Sequence, residues 1–177
     1  MRITQLSDVE PHPRKIAVGE FDGVHLGHRE VIAGSDTVVT FEPHPLQVVR
    51  PEAAPRLLTS LDVKADLIAG LGVDELVVIP FDGRFAAQSP QEFIDDVLVG
   101  ALRATKVSVG ENFRFGHRAA GDSQALAADP RFATRVVPLV DVDGEVVSSS
   151  HIRALVQAGA VDPAAKMLGA PFQMRGE

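Results

Sequence analysis

The chain has 177 residues, 45% of them hydrophobic and 23% charged, a balance typical of one folded domain that buries about two-thirds of its extended surface. It has no cysteine, which excludes a disulfide framework and a thiolate metal site and fits a reducing compartment. The formal charge of -7 argues against sequence-independent binding of DNA or RNA, and with no apolar signal core in MRITQLSDVEPHPRK and no run of about 18 apolar residues, the expected place is the cytoplasm, away from the membrane.

Lys15 to Phe21 (KIAVGEF) and Thr37 to Phe41 (TVVTF) are short β-branched apolar runs ending in turn residues, the pattern of buried strands. Only a short helix fits between them. Ser60 to Leu71 puts Leu61, Lys64 and Leu67–Ile68 at helical spacing, and Gly72 stands where a C-terminal cap belongs. Glu75 to Phe81 (ELVVIPF) is the next strand. Ser89, Pro90 and Glu92 then make a capping box with proline at the first helical position, and Ala104 to Val109 (ATKVSV) follows as a strand. Arg135 to Val147 holds two apolar runs around Val142-Asp143-Gly144-Glu145, which predicts a hairpin. Ser149 or Ser150 starts a helix that Gly159 stops, and Asp162 and Pro163 start another that ends at Gly169. Alternating strand and helix predict an α/β fold, a mostly parallel sheet with helices on both faces, whose ligands bind at the carboxyl ends of the strands. No linker or repeat divides residues 1–177, which read as a single domain.

The densest chemistry follows the first strand: Gly19-Glu20-Phe21-Asp22-Gly23-Val24-His25-Leu26-Gly27-His28. Histidines three apart lie on one side of a helical turn, and a strand-to-helix turn directs backbone N–H groups at an anion. Gly23 and Gly27 allow close approach of the backbone to a ligand. One histidine alone reads more simply as a surface or core residue; the pair flanked by glycines favours a site. A zinc reading lacks a third nearby ligand and a glutamate between the histidines. Near the other end, Ser148, Ser149 and Ser150 precede a helix, with Arg153 one turn on. Capping alone explains the serines, whereas the guanidinium makes a phosphate cradle as well.

GEFDGVHLGH resembles the HxGH signature of the nucleotidyltransferase superfamily, and SSSHIR is similar to its second phosphate motif, with Ser150 where Thr is usual. Thr40-Phe41-Glu42-Pro43-His44-Pro45 and Val109-Gly110-Glu111-Asn112-Phe113-Arg114-Phe115-Gly116 further resemble the adenylyltransferase module of the bacterial bifunctional riboflavin kinase and FAD synthetase. The likeness runs from about Lys15 to the end and takes in LTSLDVKADLIAGLGVD, FAAQSPQEFI and AAKMLGAPF.

The resemblance implies a Rossmann-like nucleotidyltransferase fold and transfer of the adenylyl group of ATP to FMN, giving FAD and pyrophosphate. His25, His28 and Arg153 would be catalytic. Gly19, Phe21, Asp22, Gly23, Gly27, Asn112, Ser148, Ser149 and Ser150 would bind ATP, with Asn112, where many members carry Asp, placing adenine or ribose. Phe41, Pro43, His44, Pro45, Phe113, Arg114, Phe115 and Gly116 would shape the FMN side, although Phe and Pro there also read as ordinary core and loop residues. Mg²⁺ is expected with ATP, its ligands open and Asp22 one candidate. Pantetheine-phosphate adenylylation, cytidylyl transfer and a non-catalytic binding module remain alternatives on the same scaffold.

Two departures qualify the likeness. Only 11 residues separate His28 from Thr40, fewer than the family's long first helix occupies, so part of the sheet is expected to be exposed as a contact surface for another chain or a second copy. The riboflavin kinase domain that follows in the family is absent from these 177 residues, so a separate riboflavin kinase is a further expected partner.

Overall fold

The computed structural model describes residues 1–172; residues 173–177, the end of the stretch that carries the resemblance, lie outside them. The strands are β1 (Arg2–Gln5), β2 (Arg14–Val18), β3 (Thr37–Glu42), β4 (Glu75–Pro80), β5 (Ala104–Gly110), β6 (Arg114–Phe115), β7 (Gly121–Asp122), β8 (Ala133–Val137), β9 (Asp141–Val142) and β10 (Glu145–Val146). The helices are α1 (Leu26–Ile32), α2 (Pro45–Val49), α3 (Leu61–Ala69), α4 (Gly83–Ala86), α5 (Pro90–Glu92), α6 (Ser123–Ala127), α7 (Ser149–Gln157) and α8 (Val161–Leu168), and α5 runs on into a π-helix, Phe93–Ala101.

Six strands form one sheet in the order β1-β4-β3-β2-β5-β8, every neighbouring pair parallel. Successive residues of a strand face opposite sides, and the two cores divide accordingly. Ile16, Val18, Val39, Val77 and Ile79 pack with Ile94, Val97 and Leu98 of the π-helix. Ala17, Val38, Leu76 and Val78 pack with Val31 and Ile32 of α1 and Ala65 and Ile68 of α3. This is the expected Rossmann-like α/β architecture with helices on both faces. A third cluster, Leu58, Val147, Ile152, Ala164, Met167 and Leu168, fixes α7 and α8 beside the loop before α3.

The local signals hold where they are chemical. Ser89 and Glu92 form the full capping box with Pro90 in the first turn, and Gly169 ends α8 in the left-handed conformation. Three expectations are corrected. The first strand ends at Val18, not Phe21, because Phe21 turns to φ 52° and opens the loop. The run from Arg135 is not a hairpin arm: Val136 and Val137 belong to β8, a parallel strand on β5, and the Asp143-Gly144 turn closes a shorter hairpin, β9 and β10. The helix starting after Ser60 stops at Ala69, before Gly72.

The short α1 covers the strands it lies on. Ala17, Val38, Val31 and Ile32 are all buried. Where a longer helix would continue, the neighbouring strands carry polar side chains that bond to α1 itself: Ser108 Oγ donates to the Val31 carbonyl at 2.6 Å, and Arg135 donates to the Ala33 carbonyl at 2.9 Å. These two hydrogen bonds tie the end of α1 to β5 and β8.

Candidate active site

The turn between β2 and α1 is strained. Phe21 (φ 52°) and Val24 (φ 43°) sit in the left-handed region, which a β-branched residue rarely adopts. Such a conformation persists when its surroundings fix it, and here Asp22 does so. Its carboxylate accepts from the Leu58 amide at 2.9 Å, the Thr59 amide at 3.0 Å and the Thr59 hydroxyl at 3.2 Å. Gly23 N–H in turn donates to that hydroxyl at 3.1 Å. Gly23, at φ +86°, also leaves no room for a side chain, since a Cβ would lie 2.9 Å from Leu58 Cδ1.

His25 is the N-cap of α1, its Nδ1 accepting from the His28 amide at 3.2 Å. An imidazole that accepts at Nδ1 carries its proton on Nε2 and presents an N–H. The His28 ring stacks on it with centroids 3.5 Å apart and 17° between planes, and Phe21 meets His28 edge-on at 5.3 Å. Burial pushes His25 down to about 4, with Asp22 opposing and Arg153 adding to the fall. His28 is lowered well below the usual histidine range by burial first, then by His25, Lys64 and Arg153. Both rings are thus neutral hydrogen-bonding groups at neutral pH. His28 Nδ1 is buried with no hydrogen-bond partner among the described residues.

The serine turn meets this one directly. Ser148 caps α7, accepting from the His151 amide at 3.2 Å. Ser149 Oγ donates to the Asp22 carbonyl at 2.8 Å, and Arg153 donates to the Asp22 carboxylate at 3.0 Å and to Ser150 Oγ at 3.4 Å. Capping and cation placement therefore occur together: Ser148 does the first, Asp22 and Ser150 the second. The Asp22 carboxylate thus bonds to four donors, the Leu58 and Thr59 amides, the Thr59 hydroxyl and Arg153.

Two cavities share a wall at the carboxyl ends of the central strands. The first, about 230 Å³, is lined by Gly19, Phe21, His25, Gly27, His28, Asn112, Ser148 and Ser149 among the expected nucleotide residues. Asp22, Gly23, Ser150 and Arg153 do not line it. The second, about 850 Å³, is lined by Phe41, Pro45, Phe113, Arg114, Phe115 and Gly116 from the expected acceptor set. Pro43 and His44 stand outside that lining; His44 caps α2 by accepting from the Leu46 amide at 3.2 Å. Phe81, Phe85 and Phe93 complete the second cavity, so six of the nine phenylalanines surround it, a wall suited to a flat conjugated ring. Glu20, Asn112 and Phe113 line both cavities.

The sequence reading passed over Glu20, Phe81, Phe85, Phe93 and Lys64. Glu20 stood inside the first motif, and its position next to Asp22 was the only signal for it. Its carboxyl is raised by burial, held back by Lys64, and raised further by Asp22 and Glu42.

The family model for FAD synthetase matches residues 7–151. The chain belongs to the FAD synthetase family. It is 37% identical over 176 residues to the bifunctional riboflavin kinase/FMN adenylyltransferase of Listeria monocytogenes, covering 91% of this chain and 55% of that protein. To the Escherichia coli K12 protein of the same name it is 34% identical over 187 residues, covering 98% of this chain and 60% of the relative. The chain thus spans little more than half the length of these curated relatives. Among solved structures, one titled macrolide-efflux protein from Streptococcus pneumoniae superposes with a TM-score of 0.83 at 24% identity, covering 97% of this chain and 61% of that one. Pantothenate synthetase from Thermus thermophilus gives 0.54 at 16% identity, covering 96% and 81%. At these identities the two structures speak to the fold alone. No helix among the described residues is long and apolar enough to cross a membrane.

Proposed function

We propose that this chain transfers the adenylyl group of ATP to FMN, giving FAD and pyrophosphate, and that its 177 residues act as one adenylyl-transfer domain. The observation that carries the reading is the shared wall: a small cavity edged by the histidine pair and the serine turn opens beside a large one walled by phenylalanine. ATP takes the first and the flavin ring the second, so their phosphates meet where Glu20, Asn112 and Phe113 divide them.

The FMN phosphate is largely dianionic at neutral pH, its second ionisation lying near pH 6. It attacks the α-phosphorus of ATP in line; the new P–O bond forms as the bond to the β-phosphate oxygen breaks and pyrophosphate leaves. No side chain has to remove a proton. The protein's task is alignment and stabilisation of charge on the departing oxygens. The Nε2–H of His25 and the neutral ring of His28 serve as donors that need no charging, and Arg153, held by Asp22, offers a cation to the leaving group. Mg²⁺ enters as part of the Mg-ATP substrate, where it would neutralise triphosphate charge; among the described residues there is no group of three or more His, Cys, Asp or Glu placed to hold a metal.

The test is to incubate the purified chain with Mg-ATP and, in turn, FMN, phosphopantetheine and glycerol phosphate, following pyrophosphate and the coupled product. FAD is expected from FMN alone. Pyrophosphate release with another acceptor but not with FMN would overturn the reading, and flavin binding without pyrophosphate would assign the chain to binding instead.

A further inference from the structure

Glu20 and Asp22 stand close together in the first motif turn, and the fold uses their carboxyls differently. Asp22 serves structure, bonded to Leu58, Thr59 and Arg153. The backbone of Glu20 is fixed as well, its main-chain carbonyl accepting from the Thr40 hydroxyl at 3.1 Å. Its carboxyl, however, has no hydrogen-bond or ion-pair partner among the described residues. Lys64, whose charge is felt there, bonds to Thr40 Oγ1 instead, at 3.4 Å. A polar group taken from water without a partner is costly, and an apolar side chain would pack in its place without that cost. Glu20 is half-buried and lines both cavities, so a molecule that fills them can supply the partner.

The chemistry of the wall says which part of that molecule it is. Glu20 shares both linings with Asn112 and Phe113 alone. Phe113 is apolar and stacks on Phe115 with centroids 5.6 Å apart. Asn112 is exposed and folds back over Gly110, where a Cβ would stand 3.3 Å from its Oδ1. Glu20 is the acidic member. FMN consists of a flat ring, a short chain bearing hydroxyls and a terminal phosphate. With the ring among the phenylalanines and the phosphate at the nucleotide, the hydroxyl chain runs along the wall where Glu20 stands. A carboxyl suits hydroxyls better than phosphate: ionised, it repels the dianion, whereas in either form it accepts from O–H, and when protonated it also donates. Burial pushes this carboxyl up to about 8, with Lys64 opposing and Asp22 and Glu42 adding to the rise. At neutral pH it therefore keeps its proton and sets no charge against the incoming phosphate.

We propose that Glu20 is a specificity-determining residue for the acceptor: in the wall between the two cavities, its side chain binds the hydroxyl-bearing chain that links the flavin ring to the phosphate. The assignment deepens the proposed function and rests on it in one respect, that the acceptor is a flavin.

The experiment compares wild type, Glu20→Leu and Glu20→Gln in the intact chain. Leucine removes the polar group, and glutamine keeps a donor and an acceptor. Affinities are read by flavin fluorescence for lumiflavin, which is the ring without the chain, for riboflavin, which has ring and hydroxyls, and for FMN. Mg-ATP affinity, a thermal melt and pyrophosphate release accompany them. Glu20→Leu should melt cooperatively and bind lumiflavin and Mg-ATP as wild type does, but bind riboflavin and FMN each about tenfold more weakly, the effect of losing one or two hydrogen bonds. Glu20→Gln should restore most of that loss. Unchanged riboflavin affinity, or equal loss for all three flavins, would overturn the proposal. So would a loss confined to FMN, which points to the phosphate, a loss confined to Mg-ATP, which points to the sugar of the nucleotide, or a glutamine variant no better than leucine. If wild type binds flavins but releases no pyrophosphate with FMN, the transfer reading fails while the comparison of lumiflavin with riboflavin still decides the role of Glu20; if it binds no flavin, both fall.

Discussion

Replacing Asp22 by Asn asks whether one carboxylate joins the two motif turns. The amide keeps the shape and one oxygen, enough for the Leu58 and Thr59 amides that now bond at 2.9 and 3.0 Å. It removes the charge that Arg153 meets at 3.0 Å, in a pair whose side chains are only 3% and 15% exposed. Taking away one partner of a buried pair costs about 3–5 kcal/mol, because the other charge is left desolvated and alone. Arg153 keeps some access to water, which puts this pair near the lower end, about 3 kcal/mol. For a chain of this size each kcal/mol moves Tm by about 2–4 °C, so the variant should melt about 6–12 °C below wild type.

Calorimetry on wild type, Asp22→Asn, Arg153→Met and the double variant separates the pair from its surroundings. If the coupling is as described, Asp22→Asn should cost little once Arg153 is gone, leaving an interaction energy of about 2–3 kcal/mol. The same variant should also turn over more slowly, although Asp22 lines neither cavity, because Arg153 would lose its direction. A melt within about 1 °C of wild type, or the same cost with and without Arg153, would refute the account of Asp22 as the tie between the turns.

The remaining predictions concern the histidines. His28→Ala should lower turnover by about 10²-fold or more, the usual effect of removing one preorganised donor, while the chain still melts cooperatively; undiminished turnover would remove its role. Stability should also fall in acid for a reason specific to the site. His25 is held near 4 in the fold against about 6.5 when unfolded, so the unfolded chain gains a proton first. The stability this represents is complete above about pH 6.5 and is lost as pH falls toward 4, by about 3 kcal/mol for His25 alone. His28 adds to the loss in the same direction. A His25→Asn variant should have a flatter Tm profile between those two pH values, and a profile as steep as wild type would count against buried neutral imidazoles.

What could be read in the sequence follows the range of the forces involved. The capping box at Ser89 and the turn at Gly169 were legible because each is satisfied within a few residues. The four-residue β1 carries too little pattern to announce itself, and β8 reads as a hairpin arm because only the β5 neighbour makes it a parallel edge strand. Likewise Phe81, Phe85 and Phe93 obey the same apolar pattern whether they fill a core or wall a cavity, so periodicity cannot separate the two uses. Nor does the length of the short first helix show how its end is held, since Ser108 and Arg135, 77 and 102 residues away from their acceptors, donate to it.

The site divides along the same line. That His25 and His28 share one turn, and Ser148 and Ser149 another, was legible because their neighbours in sequence are their neighbours there, whereas the contacts of Asp22 with Leu58, Thr59 and Arg153 join residues far apart in the chain. Lys64 shares helical spacing with Leu61 and Leu67–Ile68, and only the closed fold places it under Thr40. A motif thus groups residues that are close in sequence, while contacts such as Asp22 with Arg153 and Lys64 with Thr40 are made only by the closed fold.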